Sequence, residues 1–303
     1  MKPIIEIKDL RKHFGEIKAV DGISFGVNEG ELFAFLGQNG AGKSTTISVI
    51  CGRLLKDSGE VTINGNTIES DTDSVKRDIG VVFQSSVLDK QLTVIENLKS
   101  RASLYGIFGK ELEQRIKELS ELLELDELLN RTLGKLSGGQ KRRIDIARAL
   151  IHKPKILILD EPTTGLDPQT RKTVWNVVKR LQENENMTVF LTTHYMEEAA
   201  NADNVVIIDS GRIAAEGTPH ELKNYYSGDF ISLYNVSEDD VKTLNTPYTF
   251  ERDAYRIAVK NTALATELIV KHPEIFKDYE ITKGGMDDVF LAVTGKNLGG
   301  DGK

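Results

Sequence analysis

Apolar residues near the start of the chain come in short unbroken runs. Ile4, Ile5 and Ile7 open it, and Leu32-Phe33-Ala34-Phe35-Leu36 stops abruptly at Gly37. Five apolar residues closed by glycine suit a strand buried on both faces. The period then changes. From Ser44 to Leu55, Ile47, Ile50, Leu54 and Leu55 fall at helical intervals, so strand, glycine loop and helix are predicted in that order. Residues 4 to 36 otherwise read as short strands and turns. Leucines recur at helical spacing among charged residues from Leu112 to Leu129, and Ile144, Ala147, Leu150 and Ile151 predict a helix from Gly138 to His152 that Pro154 stops. Ile156-Leu157-Ile158-Leu159 runs into Asp160, and Val189-Phe190-Leu191 leads through two threonines to His194. Val205 to Ile208 predicts a further strand. Strands alternating with helices give an α/β domain with a mostly parallel sheet, interrupted by an inserted helical subdomain at about 85–145.

The pattern shifts again after Gly217-Thr218-Pro219. Strands are predicted at Ile231–Val236, Tyr248–Phe250, Tyr255–Val259 and Lys277–Ile281, and helices at Ser237–Leu244, Thr262–Lys271 and Met286–Val293. The order β-α-β-β-α-β is that of a small α+β, ferredoxin-like unit. Two domains follow, 1–220 and 221–303. No internal repeat is visible, and the tail from Gly295 to Lys303 reads as disordered.

Composition narrows the classes of function. A chain of 303 residues with 39% apolar and 28% charged residues can build a packed core. Its 39 Lys and Arg against 46 Asp and Glu leave a net charge of −7, without the basic field that drives binding to nucleic acid. The one cysteine, Cys51, can form no internal disulfide and points to a reducing compartment. Neither a signal-peptide core nor a run of membrane-spanning length is present, so work at a membrane needs another polypeptide as anchor.

The chemistry begins at Gly37-Gln38-Asn39-Gly40-Ala41-Gly42-Lys43-Ser44, which fits the phosphate-binding pattern G-x-x-x-x-G-K-[ST]. Backbone N–H groups of such a loop cradle phosphates at a helix N-terminus, with Lys43 reaching the terminal phosphates and Ser44 ligating Mg²⁺. Its place between a predicted strand and helix is the context the pattern requires. Asp160 and Glu161, at the end of an apolar strand, would be a turn or cap on their own. Beside a phosphate loop they read as the Mg²⁺-holding carboxylate and the base that activates water. Ser137-Gly138-Gly139 precedes a helix and leaves backbone donors free for an anion, although taken singly a flexible loop capped by Ser137 is the better explanation.

As a set these residues resemble the ATP-binding cassette (ABC) ATPases. Walker A spans Gly37 to Ser44, Gln84 takes the Q-loop position, Leu136-Ser137-Gly138-Gly139-Gln140 the signature, Asp160-Glu161 Walker B, Asp167 the D-loop and His194 the switch histidine. The resemblance covers about residues 1–220 and implies a P-loop fold. It also implies ATP-binding contacts from Gly37, Asn39, Gly40, Ala41, Gly42, Lys43, Ser44, Thr45 and Gln84, with Mg²⁺ held by Ser44, Gln84 and Asp160. A head-to-tail homodimer is implied too, in which Ser137, Gly138, Gly139 and Gln140 of one subunit face the ATP of the other. His194 becomes the γ-phosphate sensor, and Phe14 takes the place of the aromatic that stacks on adenine, a core phenylalanine being the alternative. Val87 to Leu98, Lys141-Arg142-Arg143 and Met286 to Gly295 resemble the daunorubicin-resistance type of ABC-2 exporter ATPase; the basic run could equally be a solvated helix face.

The expectation is an ATPase subunit that drives export of a drug, lipid or similar substrate through a separate membrane permease, held at the cytoplasmic face of the membrane, with no nucleic-acid partner. A soluble ABC ATPase acting in repair or translation is the alternative. Repair types insert long coiled coils and translation types carry two cassettes per chain, neither of which is visible here. A catalytically silent module would have lost Glu161 or His194, and both are present.

Overall fold

In a computed structural model that describes residues 3–295, the opening strands are longer than the runs of isoleucine predict. Strand β1 (Ile5–Phe14) pairs antiparallel with β2 (Ile17–Val27), and three irregularities in their register break the simple alternation. Next come β3 (Leu32–Leu36), all five residues buried, and α1 (Lys43–Ile50). The helix is shorter than its apolar spacing suggests. Gly52 turns the backbone to φ +63°, a conformation side chains disfavour, so Leu54 and Leu55 fall outside it and Leu55 is exposed. Residues 56–84 then supply β4 (Ser58–Ile63), β5 (Asn66–Thr67), α2 (Thr72–Asp78) and β6 (Ile79–Val82).

The inserted helices are α3 (Val94–Ser103), α4 (Gly109–Leu123) and α5 (Gly138–Leu150). Leu112, Ile116, Leu119 and Leu123 form the buried stripe of α4. Glu124, at φ +56°, ends this helix before Leu129, and short 3₁₀ turns follow at Asp126–Leu128 and Leu133–Lys135. The remaining elements of the first unit are β7 (Ile156–Asp160), α6 (Pro168–Glu185), β8 (Thr188–Thr193), α7 (Met196–Ala199), β9 (Asn204–Asp209) and β10 (Arg212–Gly217).

Two sheets result, ordered β2-β1-β4-β5 and β10-β9-β3-β8-β7-β6. The second is parallel across β9, β3, β8, β7 and β6. Phe25 of β2, Phe33 and Phe35 of β3 and Phe190 of β8 interlock with ring centroids 5.1 to 6.1 Å apart, and Ile47, Val49 and Ile50 of α1 share their core. Full burial of each such ring contributes about 1.5–3 kcal/mol. Strands β3, β8 and β7 lie side by side, so the residues that follow them, Gly37, His194 and Glu161, emerge along one edge of the sheet. Parallel sheets bind ligands at that carboxyl edge.

The chain divides into two compact units, Met1–Glu216 and Gly217–Lys303. In the second, α8 (Pro219–Tyr226) leads to β11 (Asp229–Tyr234), α9 (Glu238–Thr243), β12 (Tyr248–Glu251), β13 (Ala254–Val259), α10 (Thr262–Lys271), β14 (Tyr279–Lys283) and α11 (Met286–Thr294). The sheet is antiparallel in the order β12-β13-β11-β14, the ferredoxin-like arrangement of βαββαβ. Ile231, Leu233, Val241, Ile257 and Ala265 form its core. Of the tail that reads as disordered, residues 296–303 lie outside the described residues. No helix among the described residues is long and apolar enough to cross a membrane.

Candidate functional site

The loop from Gly37 to Ser44 joins β3 to α1 and wraps around one cation. Gly42 sits at φ +113°, and a Cβ there would fall 2.4 Å from the Ala19 carbonyl oxygen, so only glycine lets the loop close against β2. Lys43 is only 4% exposed; its Nζ donates to the carbonyls of Gly37 (2.7 Å) and Gln38 (3.1 Å). Burial pulls its pKa down and the neighbouring Glu161 pushes it back up, burial being the larger cause. Asn39, Gly40, Gly42, Lys43, Ser44 and Thr45 line a cavity of about 310 Å³, whose other walls are Ala19, Gln84 and Glu161. Gly37 and Ala41 stand behind this lining: Gly37 holds the lysine, and Ala41 packs into the core and accepts the Gly211 N–H.

Walker B enters from the neighbouring strands. Glu161, 8% exposed, adopts φ +45°, a left-handed conformation uncommon for a residue with a side chain and enriched at functional sites. Its N–H is held by both the carbonyl and the hydroxyl of Thr192, each at 3.1 Å. One carboxylate oxygen, Oε1, lies 3.4 Å from Lys43 Nζ. The other accepts from Gln84 Nε2 and Thr164 Oγ1, both at 3.2 Å, and His194 Nδ1 stands 3.4 Å away without hydrogen-bond alignment. Asp160 is positioned by a 2.7 Å bond from the Thr192 hydroxyl to Oδ1. The fold thus brings Lys43, Gln84, Asp160, Glu161 and His194 together from four separate stretches of chain.

This arrangement suits phosphate chemistry. The loop offers a phosphate its backbone N–H groups and one desolvated ammonium, and a carboxylate beside it can take a proton from water. The donor set also fits Mg²⁺, which favours hard oxygen ligands shared with substrate phosphates. Ser44 and Asp160 bring oxygens, and Gln84, whose amide nitrogen is engaged by Glu161, brings its amide oxygen.

The signature residues form the N-terminus of α5 through a reciprocal cap. Ser137 Oγ accepts the Gln140 N–H at 3.3 Å, and Gln140 Oε1 accepts the Ser137 N–H at 3.0 Å. Ser137 and Gly138 are exposed, and none of the four signature residues lines the Lys43 cavity. Asp167 caps α6, accepting from the Thr170 N–H at 3.0 Å.

Sequence reasoning leaves Thr192, Thr164 and the fate of the basic run unread. Arg142 is not on a solvated face. It is buried, and its guanidinium donates to the carbonyls of Phe83 (2.5 Å), Pro162 (2.6 Å) and Asp160 (3.4 Å). Its phase gives the signal, since Arg142, Ile146 and Leu150 recur every fourth residue on the buried side of α5. Arg143 donates to Leu123 O and Lys141 to Gly134 O.

Phe14 ends β1 and is 49% exposed, with Lys12 Nζ 5.6 Å from its ring centre, so it is not a core residue. Phe14→Ala is expected to weaken binding of adenine nucleotides by about 1–3 kcal/mol while leaving inorganic triphosphate binding unchanged. Calorimetric titration of both ligands checks this, and an unaltered ATP affinity would remove the ring from the site.

A family model described as ABC transporter matches residues 20–164. The chain is 36% identical to Nod factor export ATP-binding protein I of Ralstonia nicotianae, over 98% of this chain and 95% of that one. It is also 36% identical to linearmycin resistance ATP-binding protein LnrL of Bacillus subtilis (97% and 99%), and 35% to daunorubicin/doxorubicin resistance ATP-binding protein DrrA of Streptomyces peucetius (96% and 92%). Among solved structures, the ADP conformation of an ATP-binding cassette of an ABC transporter superposes with a TM-score of 0.66 at 32% identity, covering 73% of this chain and 93% of that one. A dimeric post-hydrolysis cassette bound to ADP and phosphate gives 0.63 at 31% identity, with 71% and 98% covered.

Proposed function

The chain belongs to the ATP-binding subunits of ABC transporters and is an ATP-hydrolysing enzyme; from that premise we propose that it powers an ABC-2 type exporter through the site built on Lys43 and Glu161. The carrying observation is the placement of Glu161, buried at the phosphate loop with its carboxylate gathered by Lys43, Gln84 and Thr164. Substrate phosphates entering the cavity compete with Gly37 O, Gln38 O and Glu161 for the ammonium of Lys43, which leaves the carboxylate to accept a proton from water. His194 stands beside Glu161 to contact the terminal phosphate. Mg²⁺, held by Ser44, Gln84 and Asp160, supplies charge neutralisation on the phosphates when bound.

The outward-facing signature at Ser137 to Gln140 and the cap residue Asp167 serve a second copy of the chain, closing two ATP molecules between two subunits. Export is favoured because similarity to the Nod factor, linearmycin and daunorubicin proteins runs through the second unit as well as the first. We assign residues 1–220 as the ATP-binding domain and 221–303 as an accessory domain that adds contacts to its twin or to a membrane permease. The pair then works at the cytoplasmic face of the membrane, on a drug, lipid or similar substrate.

Capture from detergent-solubilised membranes tests this reading. The tagged chain should retain a polytopic membrane protein, and truncation after Leu222 should lower the amount retained without changing ATP affinity. Ribosomes or repair proteins in place of a membrane protein would favour the other class of ABC ATPase. Loss of nucleotide binding in a truncated chain still folded by circular dichroism would defeat the division of labour.

A further inference from the structure

Outside the residues already placed in the site, Glu198 is the most unusual carboxylate of the first unit. It lies in α7 at 2% exposure, and its three side-chain partners are all neutral. Oε1 accepts from the Thr163 hydroxyl and, at 3.2 Å, from the Trp175 indole N–H; Oε2 accepts from the Thr193 hydroxyl at 2.6 Å. The buried guanidinium of Arg142 is close enough to act on it electrostatically but makes no hydrogen bond to it, so the carboxylate is held in place by neutral donors alone, and an apolar side chain of similar volume would fill the space at less desolvation cost. What such a residue gains is fixed geometry among its donors, and these donors flank the site. Thr193 precedes His194, and its hydroxyl oxygen also accepts the Tyr195 N–H at 2.9 Å, so the histidine is pinned on both sides. Thr163 lies in the turn from Glu161 to Asp167, where its carbonyl holds the Leu166 N–H at 3.1 Å. Trp175 stands on α6, the helix that Asp167 caps.

We infer that Glu198 is a positioning residue that holds the His194 strap in register with the turn running from Glu161 to Asp167. It joins three segments, and a shift of His194 passes through one carboxylate to the start of α6. The inference rests on the reading of Lys43, Glu161 and His194 as the ATP site. The rate of hydrolysis, more than ATP affinity, therefore depends on Glu198, because the phosphate loop itself makes no bond to it.

Trp175 is the only tryptophan of the chain, so its emission reports this junction directly. In the full-length protein, Glu198→Ala should lower kcat by about 10- to 100-fold, the scale of a misplaced catalytic group, with KM for ATP within about threefold of wild type. Glu198→Gln, which keeps one acceptor oxygen, should fall between. Trp175 emission should change on adding ATP to wild type and not to Glu198→Ala at saturating nucleotide. The exposed neighbour Glu197→Gln should behave as wild type in both assays. The inference is overturned by wild-type kcat in Glu198→Ala, by a loss of ATP binding and melting temperature with kcat unaltered, or by Trp175 emission that ignores ATP in wild type. Should Glu198→Ala fail to fold, Glu198→Gln carries the same split at smaller size, and wild-type kcat there overturns it. ATP turnover at the wild-type rate in Lys43→Ala would instead sink the site assignment, a distinct outcome.

Discussion

Glu161→Gln should yield a protein that binds ATP and scarcely hydrolyses it. The substitution keeps the side chain's shape and its capacity to accept from Gln84 and Thr164, so the cavity persists. What it removes is the basic oxygen. A positioned general base contributes about 10²- to 10⁴-fold, and phosphate release in single-turnover experiments should slow by that factor. Undegraded ATP then favours whichever assembly binds it best, so a closed pair of chains should accumulate. Size-exclusion chromatography with Mg²⁺ and ATP reads this directly. A mutant that elutes as a monomer at saturating ATP would count against the two-subunit sandwich, and one that turns over at the wild-type rate would move the base elsewhere.

Lys43→Ala should act one step earlier, on binding. Truncating one member of a desolvated, hydrogen-bonded charge pair costs about 2–5 kcal/mol, so ATP affinity should fall by a factor of about 30 to several thousand. The nucleotide-free protein should itself lose some stability, because buried Glu161 and the carbonyls of Gly37 and Gln38 are left without their partner, a cost offset in part by relief of the buried ammonium. Thermal melting without nucleotide measures this loss apart from the lost ligand contact. Retention of wild-type hydrolysis would mean that the phosphate loop serves something other than ATP.

The parts of this site legible in the sequence are those whose chemistry is local. Ser137 to Gln140 reads as an ordinary helix cap until it is set beside the other motifs, but Gly37 to Ser44 must be contiguous to form one loop, so its spacing exposes it. The same holds for Thr262–Lys271 in the second unit, where one apolar period and an Asn261 cap coincide. Strands β1 and β2 are harder, since bulges reset the alternation that would have shown their length. Residues 56–84 and helix α6 go unpredicted, although Val174, Val177, Val178 and Leu181 carry a helical period. Thr192 and Arg142 are invisible for another reason. Their roles exist only in partners far along the chain, and a threonine in a strand or an arginine in a helix is ordinary until those partners are known.

Arg142 has one further implication. Its planar guanidinium bonds to backbone on the strand side of Gln84 and to backbone on both sides of Glu161. Main-chain acceptors cannot swing away as a carboxylate side chain can, and they are present whatever the ionic strength. One side chain thus ties the first turns of α5 to the main chain beside Gln84 and on either side of Glu161. Lysine, with a single nitrogen, could reach only part of this set, so charge-preserving replacement would loosen the linkage and leave each piece to fluctuate alone.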